Sequence, residues 1–252
     1  MENQLPVYLE KKYLNEYSDI EKGVDNYIEK KKLKENTGYI LEYLPKPKSN
    51  ISTIFVVFIY NKNYLIYEFE NFKDFSLIES TLVNSFSGFY KNEFDEKYID
   101  MIVKKMIIQN ITITSMESCT SGMVANLITN TEGASQILTG AQVTYSNSAK
   151  VLAGVDSELI DICGVYSAEV ASAMAFNCKR TFNTNIGIGV TGTTGNVDPN
   201  NSDSVQGEIY YKILADKNAI NCKLRLDTNN YSRKEIKEII CGNIFRTLGL
   251  IV

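Results

Sequence analysis

The sequence predicts a layered α/β domain, with helices packed on a sheet, preceded by a small α+β module. Three observations carry this expectation. Strand-like and helix-like segments alternate beyond about residue 93, the composition changes two fifths of the way along the 252 residues, and an isolated hairpin pattern precedes the change. Up to roughly residue 92 the chain is dense in Lys, Asn, Glu, Tyr and Phe, whereas beyond Thr112 the small residues Ala, Gly, Ser and Thr cluster. The expected organisation is an accessory module over 1–92 and an α/β domain over 93–252.

The elements follow in chain order. The charged stretch from Glu10 to Glu35 is expected to form a solvated helix, and Pro45 and Pro47, interleaved with Lys46 and Lys48, to mark a break. STIFVVFIY and YLIYEFE, rich in β-branched and aromatic residues, flank Asn61-Lys62-Asn63 and read as a β-hairpin. From Asp95 to Gln109, Ile99, Ile102, Val103, Met106 and Ile107 recur at helical spacing. ITITSM then alternates as a strand, breaks at Glu117 to Gly122, and leads into the helical run MVANLITN. A strand near Gln136 to Tyr145 and a helix from about Asn147 come next, followed by a helix after Ser167 and the strand IGIGVTG. Strands at Glu208 to Leu214 and Leu224 to Leu226 precede a last helix from Ser232 to Leu248.

Composition narrows the chemistry. With 44% hydrophobic and 22% charged residues, four prolines and fifteen glycines, the chain is neither collagen-like nor disordered. Its net charge of -4, from 26 basic and 30 acidic residues, argues against a nucleic-acid or anionic-membrane partner. The sequence contains no histidine, which removes Ser-His-Asp and Cys-His catalysis and imidazole metal ligation together. Proton transfer must therefore use Lys, Tyr, Cys or a carboxylate. Five widely spaced cysteines without a CxxC pair read as reduced thiols. The start, MENQLPVYLEKKYLNEY, lacks an apolar core of signal-peptide type, and the run Ile51 to Tyr60 is too short to span a bilayer, so a cytoplasmic location is expected.

Three places could carry chemistry. Ser118 follows a strand and precedes a helix, where unpaired backbone N–H groups can stabilise an anion beside a nucleophile. The alternative is that Ser118, Thr120 or Ser121 caps the helix. Cys119 is a rival nucleophile if the helix terminus lowers its pKa, or else a small buried residue. In VTYSNSAK, Tyr145 ends a strand and Lys150 lies one turn into the next helix. A partly desolvated lysine can serve as base for a serine, and a tyrosine hydroxyl can relay the proton; each could equally be a solvated or packing residue. VTGTTGN, Val190 to Asn196, could hold a phosphate or ribose, although it matches neither the P-loop nor GxGxxG. Arg233 could pair with a phosphate or form a surface ion pair.

Taken together, ESCTSG (117–122), EGASQILTGAQVTYSNSAKVLAGV (132–155), GVYSAEVASAMA (164–175), VTGTTG (190–195), QGEIY (206–210) and the late Arg233 resemble one family, the C-terminal domain of the competence/damage-inducible protein CinA. Its stand-alone members are PncC-type nicotinamide-nucleotide amidohydrolases. The resemblance covers Thr112 to the C-terminus and implies a layered α/β/α domain hydrolysing the carboxamide of nicotinamide mononucleotide. It implies Ser118 as nucleophile, Lys150 as general base and Tyr145 as supporting hydroxyl. Glu117, Cys119, Thr120, Gly122, Thr191, Gly192 and Arg233 would contact substrate. It further implies no metal or other cofactor, and a homo-oligomer with a dimer favoured. Two local departures stand out: the family's ESCTGG is ESCTSG here, and its Gly- and Pro-rich continuation after VTG is TTGNVDPNN. The first hundred residues do not resemble the pyrophosphatase domain that precedes this module in full-length members. A second reading is therefore a catalytically weakened nucleotide-binding or protein-interaction module, and a third keeps the amidase chemistry on another small amide.

Overall fold

The computed structural model of the chain describes residues 7–13, 37–44, 53–60, 63–70, 94–195, 198, 201 and 204–252. Among these the strands are β1 (Val7–Tyr13), β2 (Thr37–Leu44), β3 (Thr53–Tyr60), β4 (Asn63–Glu70), β5 (Ile113–Glu117), β6 (Leu138–Val143), β7 (Ile186–Gly192), β8 (Glu208–Leu214) and β9 (Ala219–Arg225). The α-helices are α1 (Glu96–Gln109), α2 (Met123–Thr129), α3 (Asn147–Leu152), α4 (Ser157–Cys163), α5 (Ala168–Phe182) and α6 (Arg233–Leu248). All the strands join one sheet in the order β1-β2-β3-β4-β9-β8-β7-β5-β6.

β6, β5 and β7 are parallel to one another, while β7, β8, β9, β4, β3 and β2 run antiparallel in succession. Parallel neighbours need crossover connections, and here α2 links β5 to β6 while α3, α4 and α5 link β6 to β7. The carboxyl ends of β5, β6 and β7 consequently open together at one edge of the domain. In open α/β sheets that is where ligands bind.

The sheet is covered on both faces. Ile113, Ile186, Ile188 and Val190 share a core with α1, α2 and α6, whereas Met116 packs with Val170, Met174 and Cys178 of α5 on the opposite face. IGIGVTG shows why both covers fit. Its isoleucines point to one layer, and Gly187 and Gly189 point to the other, where α5 lies backbone against backbone. A Cβ at Gly189 would stand 2.1 Å from the Ala171 carbonyl oxygen, and one at Gly187 2.4 Å from that of Ala175. Small residues at Ala171 and Ala175 complete this close approach.

The hairpin forms where expected, with β3 and β4 paired from Ile54↔Phe69 to Tyr60↔Asn63. It also continues the main sheet, since β4 pairs with β9 from Tyr64↔Arg225 to Glu70↔Ala219. Both faces of that seam are tied. On one, the Tyr67 and Tyr211 hydroxyls meet the Thr247 hydroxyl of α6 at 3.2 and 2.9 Å, all three buried. On the other, Lys212 reaches Glu70 at 3.1 Å, and the Asn221 amide donates to Glu68 at 3.0 Å and also to Glu70.

One expectation is corrected. Glu10 to Tyr13, read as the start of a charged helix, belong to β1, which pairs in parallel with β2 from Val7↔Gly38 to Tyr13↔Leu44. Pairing with a neighbouring strand outweighs local helical preference, and Val7, Tyr8, Leu9 and Tyr13 are good strand formers. The rest of that stretch and the Pro45–Pro47 break lie outside the described residues. The short helix α4 was not anticipated, and β9 begins five residues before Leu224, at Ala219.

Gly189→Ala is expected to destabilise the protein by about 3 kcal/mol or more, because neither β7 nor α5 backbone can withdraw. Gly140→Ala meets only the Phe182 ring, a side chain able to turn away, and should cost less. Urea unfolding of the two variants checks the ranking.

Candidate active site

The cleft at the ends of β5, β6 and β7 has a volume of about 700 Å³. Ser118 and Cys119 line it from the turn after β5. Tyr145, Ser146, Asn147, Ser148 and Lys150 line it from β6 through α3, and the remaining walls come from Tyr166, the 192–195 loop, Asp198, Asn201 and Arg233.

The turn that carries Ser118 is held by Glu117, the fully buried last residue of β5. One carboxylate oxygen accepts from the Ser115 hydroxyl at 2.9 Å and the Ala125 amide at 3.0 Å. The other accepts from the Thr120 hydroxyl at 2.7 Å and the Val124 amide at 3.1 Å. A carboxylate at a helix N-terminus with four donors is satisfied without a cation. Glu117 thereby supplies the cap that Gly122, at the N-cap position, cannot. None of Ser118, Thr120 and Ser121 caps α2.

Ser118 lies in the turn before α2, which starts only at Met123, so it is not in the first helical turn. Its amide donates to the Val190 carbonyl at 3.0 Å, and its carbonyl accepts from the Ser121 amide at 3.1 Å. Ser121 has φ 55, in the left-handed region, and Gly122 follows at φ 89. The turn thus requires at Ser121 the conformation that glycine adopts freely. Ser121 is exposed and is not among the cleft-lining residues, so its consequence is backbone strain and not a changed fit to substrate.

Lys150 crosses the interior to meet Ser118. Its Nζ stands 3.0 Å from Ser118 Oγ and donates to the Thr144 carbonyl at 2.9 Å, and the residue is 1% exposed. Ser146 sets the entry of α3 by capping the Ala149 amide. Burial pulls the Lys150 pKa down to about 8, against the opposing influence of Cys119 and Asp198. Cys119 itself is pushed up to about 12 by burial, the reverse of the lowered value that a nucleophilic thiol needs.

The other expected residues divide between cleft and frame. Tyr145 is 60% exposed, and its hydroxyl accepts from the Arg233 guanidinium at 2.8 Å. Arg233 opens α6 behind the Ser232–Glu235 capping box. Gly192 lines the cleft. Glu117, Thr120, Gly122 and Thr191 are not among its lining residues; Thr191 is fully buried and donates to the Val165 carbonyl at 3.0 Å. Tyr166, Asp198, Asn201 and Asn147 were not anticipated. Tyr166 and Asp198 are 32 residues apart, and no local pattern relates them. Among the described residues, no group of three or more His, Cys, Asp and Glu could hold a metal ion. Among them too, no helix is long and apolar enough to cross a membrane.

Comparison with known proteins agrees with this architecture. The family model of the CinA C-terminal domain matches residues 95–250, more than half of the chain. The chain belongs to the CinA C-terminal domain family. A CinA-like protein of Prochlorococcus marinus subsp. pastoris is 29% identical over 187 residues, 73% of this chain and 43% of its own length. The chain thus spans less than half the length of the curated relatives it matches. Among solved structures, the competence/damage inducible protein CihA of Agrobacterium tumefaciens aligns with a TM-score of 0.54 over 61% of this chain and 95% of its own, at 24% identity. A CinA superfamily protein of Escherichia coli aligns with a TM-score of 0.58 over 64% of this chain and 92% of its own, at 16% identity. At these identities the two structures share the CinA fold with this chain.

Two stability outcomes follow from the CinA site. Ser121→Gly should stabilise the protein by about 1 kcal/mol by relieving a left-handed non-glycine residue, read as a higher urea midpoint at unchanged slope. Lys150 holds its proton less tightly folded than unfolded, so its cost is complete below about pH 8 and fades as pH rises toward the ordinary lysine value of 10.5. Lys150→Met should therefore stabilise the fold by roughly 2 kcal/mol at neutral pH, with the gain shrinking in more alkaline buffer. Thermal unfolding across that pH range checks both sign and window.

Proposed function

We propose that this chain is a serine amidohydrolase that converts nicotinamide mononucleotide to nicotinic acid mononucleotide and ammonia. The observation that carries the reading is the buried amine of Lys150, 3.0 Å from Ser118 Oγ, with its pKa drawn down toward neutrality. An amine near neutrality is a competent general base, and a chain without histidine needs one. The resemblance of ESCTSG and TYSNSAK to PncC-type members supplies the substrate.

In this mechanism neutral Lys150 keeps one N–H on the Thr144 carbonyl and turns its lone pair to the Ser118 hydroxyl. Ser118 Oγ attacks the carboxamide carbon as its proton passes to Lys150 Nζ. The backbone N–H of Cys119, in the turn after Ser118, is placed to hold the oxyanion, in a conformation that Glu117 has already set. Lys150 returns the proton to the amide nitrogen, ammonia leaves, and an ester remains on Ser118. Water, deprotonated by Lys150, attacks the ester, releases the acid and restores the serine hydroxyl. Arg233, steadied by Tyr145, and the 192–195 loop take the phosphate and ribose. Thr120, Gly122 and Thr191 act as frame and not as contacts.

Ser118→Ala and Lys150→Ala are each expected to lower ammonia release at least a thousandfold without unfolding the protein. Lys150→Arg should be as inactive, because a guanidinium stays charged. The active form is the neutral amine, so wild-type kcat/KM should rise about tenfold per pH unit below pH 8 and level off above it. Undiminished turnover in Ser118→Ala would sink the reading. Mononucleotide binding without turnover in the wild type would favour a silent nucleotide-binding module.

A further inference from the structure

The mechanism leaves one charged side chain of the cleft without a role. Asp198 follows β7 in the segment where the chain departs from its family's usual glycine- and proline-rich sequence. Three elements fix it. The Tyr166 hydroxyl, from the turn between α4 and α5, donates to its Oδ2 at 2.7 Å, and the Asn201 amide donates to the same oxygen at 2.5 Å. The Asn147 side-chain amide, at the start of α3, in turn donates to Asn201 Oδ1 at 3.0 Å, and the Asp198 backbone amide donates to Ser204 Oγ at 2.9 Å. Burial and the neighbouring carboxylate both push the Tyr166 pKa up, so the phenol stays protonated and remains a donor. Asp198 lies close enough to the reacting groups for its charge to strengthen proton binding at Lys150.

Partial removal from water makes the charge of a carboxylate that lines a cleft felt by whatever binds beside it. The neighbouring ring of Tyr166 is likewise suited to a cation. Glu117, the other carboxylate near Ser118, is saturated by four donors and is not a lining residue. We propose that Asp198 is a specificity-determining residue that selects substrates whose scissile carboxamide is carried on a positively charged ring, the quaternised pyridinium of a nicotinamide riboside phosphate, over the same amide on an uncharged ring. Arg233, held on Tyr145, supplies the separate cationic point for an anionic tail. The cleft is thereby matched to a substrate that carries both signs.

The inference rests on the mononucleotide reading, and its test separates the two. Ammonia release by the full chain is compared on nicotinamide mononucleotide and on its 1,4-dihydro form, at a pH above the Lys150 limb. The two share ribose, phosphate and carboxamide and differ in ring charge. The dihydropyridine donates electrons into its amide and is slower to acylate in any case, so the readout is the change in the ratio of kcat/KM between wild type and Asp198→Asn. The expected result is a tenfold or greater loss on the oxidised substrate with less than a twofold change on the reduced one. Tyr166→Phe, which frees the carboxylate without removing it, should move the ratio in the same direction by less. Equal losses on both substrates would overturn the inference, because they would mean that Asp198 binds ribose or only supports the loop.

A binding measurement stands apart from turnover. The Ser118→Ala protein should bind the oxidised mononucleotide at least tenfold more tightly than the reduced one in calorimetry, and adding Asp198→Asn should erase the preference. If the wild type releases no ammonia while this preference appears and is erased, the amidase reading falls and the charge selection stands. If ammonia is released with an unchanged ratio, the selection falls and the amidase stands. Failure to bind either form overturns both.

Discussion

The buried carboxylate of Glu117 is the point on which the site hangs. A charge at the end of β5, wholly removed from water, would be costly unless every lone pair found a donor. Here the donors are Ser115, Thr120 and the amides of Val124 and Ala125, so the strand, the turn and α2 are locked by one group. The turn must then pass through two successive left-handed residues before α2 can begin, and that path points Ser118 into the cleft. Ser118 owes its placement to a residue that faces the other way.

Lys150 shows the opposite economy. Its burial is unfavourable to the fold, offset only in part by the Thr144 carbonyl and by Asp198, and that same burial moves the amine into the range where it can exchange a proton with Ser118. A site that destabilises its protein is the usual result when a charged group must be kept partly neutral. The rigid support around it makes the strain tolerable. Gly187 and Gly189 let α5 close on β7, and α1, α2 and α6 close the opposite face.

The family pattern and this chain's own sequence act on different parts of the cleft. The turn at Ser118 and α3 carry the ESCTSG and TYSNSAK motifs, and Ser121 changes the cost of the turn without entering the cleft. The loop after β7 departs more strongly, and it brings Asp198 and Asn201 into contact with Tyr166. On the proposed reading, chemistry and selectivity fall to separate segments. The β3–β4 hairpin, continuous with the sheet through β9, adds a further wing whose core residue Tyr67 shares hydrogen bonds with α6.

Period and punctuation in the sequence were enough to determine most elements from residue 95 onward, because each is a local pattern: the helical repeat of α1, the alternation of β5 and the Ser167 and Ser232 caps. The absence of histidine, together with Ser118 and Lys150, also set the kind of base available. What the tertiary structure alone decided depends on distant partners. Edge pairing with β2 made a strand of Glu10 to Tyr13, and β4 joined β9 across 155 residues or so. Glu117 changed from a candidate substrate contact into the anchor of the turn. The Tyr145 hydroxyl was given to Arg233, 88 residues away, and Asp198 was placed against Tyr166. Burial and hydrogen-bond partnership are properties of the packed whole, and no window of sequence contains both ends of such contacts.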